Sequence, residues 1–406
     1  MRKKSATKIG ENPLLNHLLD KAKAMEGARQ IAAGTHLGDW PRRVWVISDG
    51  TPGMLSQCLA LLRAMGLDGE DIRAVPTPLL RAFPTLARIP GWQLTLGRAP
   101  DWLKMNQWPD LCITCGRRMA GISIGVRRRS GGKTKTIHIQ DPKVDARYFD
   151  LLITPRHDDI AAQNALKGGQ LHSSENGAVL ATTGALNRLS AEEIDEAASA
   201  VAAAWPELAA ASEGAAEQAG GQNADKHKLA AVMVGGHNRR YKSGEREFTQ
   251  LADQLAAFAA LTGAKLALVP SRRTPKKGLR VLNDRLRARI GATDGLWVWD
   301  GDLSSGAGAI NPYPGVLGLA DFIVVTSDSV NMTSEAAITG KPVLTAEMVP
   351  ETGRIARFHE MMRSSGHTAD LGKVLDAPGQ LDEPFTPLDE RAAIAEAVWG
   401  FFDGTL

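Results

Sequence analysis

The sequence predicts an α/β protein that is built from two successive halves, each with a mostly parallel sheet. Short apolar runs, typical of buried strands, alternate along the chain with segments whose apolar residues recur at helical spacing. This alternation is typical of parallel sheets that are covered by helices. The chain has 406 residues, whereas a single hydrophobic core stops growing at about 250 to 300 residues. We therefore expect two domains.

The first half begins with the apolar run VWVISDG at residues 44–50, which is followed by a segment with leucines at helical spacing. The same unit returns with PDLCITCG at residues 109–116, ahead of a basic helix. Two further strands follow, in KTIHIQDP and in FDLLITPRHD. We predict an N-terminal α/β domain over residues 41–205, after an extension over residues 1–40.

The second half repeats the pattern after a break. Residues 206–228 are small and polar and lack apolar periodicity, which predicts a linker. Strands and helices then alternate again, from LAAVMVGG to the apolar run before residue 327. We predict a C-terminal α/β domain over residues 229–385 and a last helix over residues 386–406 that packs back on the first domain.

Composition excludes several classes of protein. Hydrophobic residues make up 43% and charged residues 23% of the chain, as in soluble globular proteins, and no apolar run is long enough to cross a bilayer. The net charge of +3 argues against a nucleic-acid partner. The N-terminal residues do not resemble a secretory signal, and three cysteines cannot form a disulfide framework, so we expect a cytoplasmic protein.

The pair Cys112 and Cys115 could indicate metal or dithiol chemistry, but the predicted local structure disfavours it. Positions three apart in a strand face opposite sides of a sheet, and no second Cys/His pair follows at ligand spacing. We expect neither a bound metal ion nor a cofactor.

Two loops of the second half predict an anion site. In open parallel sheets, ligands bind beyond the carboxyl ends of the strands, and both residues 234–244 and residues 269–278 follow a strand there. Glycines let a ligand approach the backbone, and basic side chains suit a phosphate. The alternative is ordinary turns with solvated basic residues. The candidates are Gly235, Gly236, Asn238, Arg239, Arg240, Lys242, Ser271, Arg272 and Arg273.

The corresponding loops of the first half carry candidates for acid–base chemistry. Asp49, His138 and Asp141 each follow or end a predicted strand and could act as a general acid or base. Each also has a structural explanation, because Asp beside Gly or Pro builds turns and an isolated His is commonly part of a core. Further polar side chains of the same loops are Gln57, Arg117 and Arg118.

The segment FIVVTSDSVNMTSEAAITGKPVLTA, residues 322–346, places a strand before a helix that begins near Asn331 and ends at Gly340. The free N–H groups at such a helix start favour an anion. Glu335 does not complete a capping box, because position 332 is Met. A carboxylate there can accept hydrogen bonds from the two hydroxyls of a ribose, although an exposed helix Glu is the alternative. The candidates are Ser327, Ser329, Asn331, Thr333, Ser334 and Glu335.

Six of these motifs together resemble the mitochondrial fission ELM family, including its bacterial members, over residues 44–370. They are SDGTPG, CGRRMAG, HIQDPKVDARYFDLLITPRHD, VGGHNRRYKSG, SRRTP and NPYPGVLGLADFIVVTSDSVNMTSEAAITGKPV. The family looks like a GT-B glycosyltransferase, which implies two Rossmann-like domains whose parallel sheets face a central cleft. The last motif also resembles the donor-binding segment of MurG-type transferases, which implies that Glu335 matches the ribose-binding acid. The chain departs from the pattern at Met54, where a small or polar residue is expected.

The resemblance leaves three functions open. The first is a metal-independent glycosyltransferase that binds a nucleoside diphosphate sugar and passes the sugar to a lipid-linked or other membrane acceptor. The second is a non-catalytic adaptor or scaffold on the same fold. The third is a nucleotide-sugar epimerase, which would isomerise the donor without an acceptor.

Residues 79–108 predict a peripheral contact with the inner face of the membrane. Aromatic, apolar and basic side chains are mixed there in the way that suits a lipid headgroup region. A core-packed helix and loop with a solvated basic edge is the alternative. The residues concerned are Leu79, Leu80, Phe83, Ile89, Trp92, Trp102 and Trp108 with Arg81, Arg88, Arg98 and Lys104.

Overall fold

The computed structural model describes most of the chain between Trp40 and Thr405. The described residues are 38, 40–83, 86, 89, 107–158, 170–174, 177–187, 189–211, 228–237, 242–291, 295–299 and 310–405. Within them the backbone forms two sheets that are almost wholly parallel, which confirms the predicted α/β fold with two parallel sheets.

Seven strands of the described chain form the first sheet, in the order β2-β1-β3-β4-β5-β7-β6. The strands are β1 Val44–Ser48, β2 Glu70–Arg73, β3 Leu111–Cys115, β4 Lys135–Ile139, β5 Leu151–Pro155, β6 Leu171–Ser174 and β7 Gly177–Thr182. Only β6 runs antiparallel to its neighbour among these described strands. The helices of this half are α1 Pro52–Ala64, α2 Pro78–Ala82 and α3 Ala120–Arg129.

Burial of the central strands explains their apolar sequences. Every residue of β1, β3 and β5 is buried, because helices cover both faces of a parallel sheet. Cys112 packs in the hydrophobic cluster on one face and Cys115 in the cluster on the other face. The sequence prediction that the two thiols point to opposite sides of the sheet is therefore confirmed.

Helices α4 Ala191–Ala204 and α5 Pro206–Ala209 connect the two halves. A capping box of Ser190 and Glu193 starts α4. Although the predicted N-terminal domain includes α4, its buried face joins the core of the second half. The limits of the domains and of the linker remain our prediction, because most of the linker and of the N-terminal extension lies outside the described residues.

Six described strands form the second sheet, in the order β10-β9-β8-β11-β12-β13, and all of their pairings are parallel. They are β8 Lys228–Val234, β9 Ala264–Pro270, β10 Leu296–Val298, β11 Phe322–Thr326, β12 Val343–Ala346 and β13 Ala369–Asp370. The helices are α6 Glu245–Thr262, α7 Lys276–Ile290, α8 Pro312–Leu319, α9 Val330–Ala337, α10 Gly353–Ser364 and α11 Leu371–Asp376. Because β8, β9 and β11 are parallel neighbours, the loops that follow them lie at one edge.

The chain passes twice between the halves. Helix α4 packs on α8, where a Cβ on Gly315 would lie 2.3 Å from the carbonyl oxygen of Ala197. Near the C-terminus the chain returns from the second half to the first, where α12 Arg391–Asp403 packs on the first sheet through Val398 and Trp399. No helix in the described part of the chain is both long and apolar enough to span a bilayer.

Candidate functional site

Asp328 joins the loops at the carboxyl edge of the second sheet. Its Oδ1 accepts a hydrogen bond from the Thr326 hydroxyl at 2.7 Å, and its Oδ2 accepts one from the Gly236 N–H at 3.0 Å. Arg273 Nη2 lies 3.6 Å from the same Oδ2. Burial raises the pKa of Asp328, against the hydrogen bonds and the charge of Arg273. This carboxylate was missing from the sequence candidates, although it stands in the middle of the polar segment.

The two glycines of the first basic loop are required by their protein neighbours. A Cβ on Gly235 would lie 2.1 Å from Asp328 Oδ1, and a Cβ on Gly236 would lie 2.0 Å from the carbonyl oxygen of Arg273. These distances are far below any real Cβ contact. The sequence pattern predicts that these glycines let a ligand approach the backbone, whereas the structure explains them by the close packing of three loops.

The hydroxyl groups at the start of α9 already have partners. Ser329 caps the helix, and its carbonyl accepts a hydrogen bond from the Thr333 hydroxyl at 3.1 Å. Ser334 Oγ donates to the carbonyl of Val330 at 2.9 Å and accepts from the N–H of Ala185, in the first half, at 3.1 Å. Thr333 and Ser334 are fully buried. These three side chains build the helix and its contact with the first half, so we do not include them among the ligand contacts.

Glu335 is partly buried in α9, and one of its oxygens is engaged. Its Oε2 accepts a hydrogen bond of 2.7 Å from the hydroxyl of Tyr313, in the first turn of α8. Burial raises the pKa of Glu335 to about 7, against the hydrogen bond from Tyr313. Burial and the neighbouring carboxylate raise the pKa of Tyr313. Tyr313 was not a sequence candidate, although the motif NPYPG at this helix start contains it.

The start of α9 faces the first half. The Asn331 amide nitrogen would lie 3.4 Å from a Cβ on Gly53, in the first turn of α1. In the loop between β1 and α1, Asp49 accepts a hydrogen bond from the Thr51 N–H at 3.0 Å, and its other oxygen lies 3.4 Å from Arg118 Nη1. Burial tends to raise the pKa of Asp49, but these hydrogen bonds and the charge of Arg118 lower it overall. A lowered pKa makes Asp49 a weaker base.

His138 is part of the core. Its ring is fully buried within β4, its Nδ1 lies 2.7 Å from the Thr114 hydroxyl oxygen, and it stacks on Phe149 at 4.7 Å. Burial lowers its pKa to about 3. The structure therefore argues against the catalytic role that the sequence analysis considered for His138. Asp141 follows β4 at the same edge and accepts the Lys143 N–H at 2.8 Å.

The remaining first-half candidates divide into buried and exposed residues. Gln57 is buried, and its Oε1 lies 3.9 Å from the Cys115 sulfur, beneath the cleft. Met54 Sδ lies 3.5 Å from the same sulfur, and a Cβ on Gly116 would lie 2.9 Å from Met54. The residue that departs from the family pattern therefore fills the space above β3. Arg117 and Arg118 are exposed in the loop between β3 and α3.

Basic side chains of the second half remain available to a ligand. Arg272, Arg273 and Lys242 are exposed. Ser271 Oγ lies 3.1 Å from the Thr274 hydroxyl oxygen and shapes the turn. Asn238, Arg239 and Arg240 lie outside the described residues. Ser327 is fully buried, with its carbonyl accepting a hydrogen bond from His359 Nε2 at 2.8 Å, so it is remote from a ligand.

Comparison with known proteins identifies the family. A family model described as mitochondrial fission ELM1 matches residues 52–401. The chain belongs to the mitochondrial fission ELM1 family. Mitochondrial fission protein ELM1 of Arabidopsis thaliana is 30% identical over 299 residues, which are 71% of this chain and 63% of that protein. This chain thus matches less than two thirds of the plant protein. The uncharacterized protein RP120 of Rickettsia prowazekii (strain Madrid E) is 24% identical over 325 residues, 74% of this chain and 82% of that protein.

The fold of this ELM1-family chain is also found in solved structures. UDP-GlcNAc 2-epimerase from Methanocaldococcus jannaschii superposes with a TM-score of 0.51 over 88% of this chain and 98% of the epimerase, at 14% sequence identity. Such low identity concerns the fold alone. Together with the two parallel sheets, the likeness confirms the predicted GT-B-like fold.

A charged contact holds the two halves of the ELM1-family chain together. Arg354, in α10, places its Nε 2.7 Å from Oδ1 of Asp158, which follows β5 in the first half. Arg357 donates to the carbonyl of His157 at 3.3 Å, and the His157 ring meets Phe358 edge-on at 5.0 Å. Burial raises the pKa of Asp158, against the charge of Arg354. Asp158 is not among the residues predicted from the sequence, although it ends the motif HIQDPKVDARYFDLLITPRHD.

We expect Asp158→Asn to shift the protein toward a more open arrangement of its halves. The substitution removes the charge that attracts Arg354 but keeps the shape of the side chain. Because Arg354 is partly exposed, we discount the pair to about 1 kcal/mol, which is roughly a fivefold change in an equilibrium. Small-angle scattering should show a larger radius of gyration for Asp158→Asn. The control is Asp253→Asn, whose ion pairs with Arg285 and Arg289 lie within the second half; a scattering curve of Asp158→Asn that matches this control contradicts the prediction.

The raised pKa of Glu335 predicts a pH dependence of stability. The folded value of about 7 lies above the ordinary 4.5, so between these pH values the folded protein keeps a proton that the unfolded chain releases. This contribution to the free energy of unfolding is present below pH 4.5 and is lost as the pH rises to about 7. Relative to Glu335→Gln, the wild type should lose about 1–3 kcal/mol between pH 5 and pH 8. Urea unfolding of both proteins at both pH values tests this; a difference that does not change with pH refutes it.

Proposed function

We propose that this protein binds a nucleoside diphosphate sugar between its two halves and transfers the sugar to an acceptor. The observation that carries the proposal is the placement of Glu335, held by Tyr313, in the same helix whose start faces the first half across the cleft. The exposed Arg272 and Arg273 follow β9 at the same edge of the second sheet. The solved structure of similar fold is named as an enzyme of UDP-GlcNAc, a ligand of this chemical class.

The proposed donor site assigns one role to each group. The Glu335 oxygen that Tyr313 leaves open accepts the hydroxyls of the ribose. The N–H groups at the start of α9, Arg272 and Arg273 contact the diphosphate. As the sugar leaves, negative charge develops on the diphosphate, and positive groups that are already in place stabilise it without reorganisation. We propose that these fixed charges suffice and that the reaction needs no metal ion.

The first half of the chain, which would hold the acceptor, gives weaker support for sugar transfer than the second half gives for donor binding. Asp49 and Asp141 are the remaining candidates for the base, and both lie at the carboxyl edge of the first sheet. Asp49 is engaged by Thr51 and Arg118, and Asp141 accepts a hydrogen bond from the Lys143 backbone. This observation favours a second candidate function, an adaptor or scaffold that binds the nucleotide sugar and does not turn it over.

One set of measurements separates these functions. Purified protein is titrated calorimetrically with uridine, guanosine, adenosine and thymidine diphosphate sugars, beginning with UDP-GlcNAc, and the ligands that bind are then incubated with membrane extract. Transfer to the extract supports a glycosyltransferase, and binding without turnover supports the adaptor. Isomerisation of the donor in the absence of extract indicates an epimerase. If no ligand binds at about 1 mM, which corresponds to roughly −4 kcal/mol, the proposal is overturned.

We propose that the acceptor is membrane-associated and that α2 and its surroundings touch the membrane surface. Leu79, Phe83 and Ile89 are exposed here, whereas Leu80 packs in the core. Arg81 is exposed between the apolar side chains. The Trp108 ring packs against the Trp45 ring, with 6.2 Å between the ring centroids. The other predicted residues of this surface lie outside the described residues: Arg88, Trp92, Arg98, Trp102 and Lys104.

Flotation with liposomes tests the membrane contact. Each basic residue near an anionic surface contributes about 1 kcal/mol, so replacing Arg81, Arg88 and Arg98 together by Glu should weaken binding to anionic liposomes on the order of 100-fold or more. The wild type should float with anionic liposomes and remain behind with neutral phosphatidylcholine liposomes. Equal partitioning of wild type and triple variant onto anionic liposomes disproves the contact.

A further inference from the structure

We infer that Asp328 is a positioning residue for the diphosphate, acting through Arg273. The inference rests on the proposed function, because it concerns the phosphate part of the same site. It adds a residue that neither the sequence motifs nor the family resemblance marked as functional. It also predicts different contributions to phosphate binding from Arg273 and its neighbour Arg272, although both follow the same strand and carry the same charge.

The burial of Asp328 shows that it acts through other residues. Its side chain is 3% exposed, so a ligand cannot reach it, whereas the side chain of Arg273 is 43% exposed. The carboxylate is fixed from behind by Thr326 and by the Gly236 N–H, at 2.7 and 3.0 Å. A guanidinium has five donors. The face of Arg273 that turns to Asp328 therefore leaves other N–H groups for a phosphate.

The backbone of Arg273 is held in the same cluster. Its carbonyl oxygen accepts a hydrogen bond from the His237 N–H at 3.2 Å, and the carbonyl lies where a Cβ on Gly236 would stand. The β8 loop thus holds the main chain of Arg273 while Asp328 attracts its side chain. Ligand sites gain affinity when surrounding residues fix the orientation of the binding groups before the ligand arrives. Within the described residues, Arg272 makes no comparable contact.

The negative charge of Asp328 would repel a diphosphate, which opposes the gain from orienting Arg273. The geometry indicates that the orientation of Arg273 contributes more than the repulsion. A carboxylate near a diphosphate repels it, but two hydrogen-bond donors and the Arg273 guanidinium compensate this carboxylate. The distance of 3.6 Å between Arg273 Nη2 and Asp328 Oδ2 is beyond a good hydrogen bond. Asp328 therefore orients Arg273 but leaves its N–H groups free to bind a phosphate. We expect that loss of Asp328 lowers the affinity for the diphosphate by disordering Arg273 more than it raises that affinity by removing a negative charge.

A double-mutant cycle tests the inference. Wild type, Asp328→Asn, Arg273→Ala and the double variant are titrated with UDP-GlcNAc, or with the tightest-binding nucleotide sugar of the panel, and with the corresponding nucleoside. Asn keeps the shape of Asp, and its single acceptor oxygen can keep the hydrogen bond from the Gly236 N–H, while its NH2 group then faces the Thr326 hydroxyl as a donor. We expect Asp328→Asn to weaken the nucleotide sugar about tenfold and to leave the nucleoside unchanged. In the Arg273→Ala background, the same substitution should change affinity by less than about twofold.

Two controls make the outcome decisive. Asp253→Asn removes an equal charge from an exposed ion pair and should bind like the wild type. Arg273→Ala, at an exposed side chain, tests the phosphate contact even if Asp328→Asn does not fold. It should weaken the binding of the nucleotide sugar more than Arg272→Ala does.

If Asp328→Asn lowers the affinity by the same factor in both backgrounds, or weakens the binding of the nucleoside equally, Asp328 has a structural role only and the inference fails. If the wild type binds the nucleoside but gains nothing from the phosphates, the inference fails while ribose recognition stands; if it binds neither, the proposed function fails with it.

Discussion

Replacement of Glu335 by alanine is expected to weaken the binding of a nucleotide sugar by roughly 10- to 100-fold. A charged acceptor that receives hydroxyl hydrogen bonds typically contributes a few kcal/mol to binding. In this protein the Tyr313 hydroxyl, 2.7 Å from Oε2, already orients the carboxylate, so little has to be ordered when the ligand arrives. The stability of the fold should not fall at pH 8, because burial makes the ionised carboxylate unfavourable there.

Calorimetric titration and melting curves of the same samples distinguish the roles that Glu335 could have. Glu360→Ala is a matched control, since Glu360 is a helix acid that is 73% exposed, and it should change neither quantity. A purely structural acid would lower the melting temperature together with the affinity. Equal affinity of wild type and Glu335→Ala for the best ligand would remove the main support for the proposed donor site.

Gly236→Ala is expected to destabilise the second half and to abolish the anion site. The new Cβ would lie 2.0 Å from the Arg273 carbonyl oxygen and 2.5 Å from the Thr274 nitrogen. Both are backbone atoms, so no side-chain rotation can relieve the overlap, and the β8 and β9 loops must separate. The hydrogen bond from Gly236 to Asp328 is then lost as well. Overpacking of this kind costs about 3 kcal/mol, which for a domain of this size lowers Tm on the order of 5–10 °C.

Thermal unfolding of Gly236→Ala beside Gly379→Ala measures this effect. Gly379 has open space where its Cβ would stand and lacks a positive φ, so its substitution should leave Tm nearly unchanged. The prediction is wrong if the two variants melt together. It is also wrong if Gly236→Ala binds the nucleotide sugar as tightly as the wild type, because the loops could then accept a Cβ without moving.

The buried strands and the parallel character of the sheets could be predicted from the sequence because burial on both faces leaves a clear pattern. The runs at β1, β3, β5, β8 and β11 are apolar at nearly every position, as a covered parallel sheet requires. The opposite directions of Cys112 and Cys115 followed from the two-residue period of a strand. The edge at which polar loops collect also followed from the parallel direction, which brings the carboxyl ends of successive strands together.

Polar side chains within those loops could not be sorted in the same way. Thr333 and Glu335 are two residues apart, yet Thr333 is fully buried and bonds to the residue that caps its own helix, while Glu335 is only partly buried and bonds to Tyr313 of another helix. His138 lies one residue before the end of β4, in a strand of the same type as β3 and β5, but it stacks on Phe149 in the core. A hydrogen bond inside the protein and a hydrogen bond to a ligand require the same side-chain types, so composition does not tell them apart.

By itself, the sequence determined the α/β class, the two successive halves, the family motifs and the loops at the carboxyl edges of the strands. Only the tertiary structure decided the hydrogen-bond and ion-pair partners of Asp328, Tyr313 and Asp158 and the burial of His138, Thr333 and Ser334. The physical reason is the distance along the chain between partners. Ala185 and Ser334 are 149 residues apart, and Gly236 and Asp328 are 92 residues apart. Such contacts depend on how two sheets and their loops pack, which no local pattern of residues records.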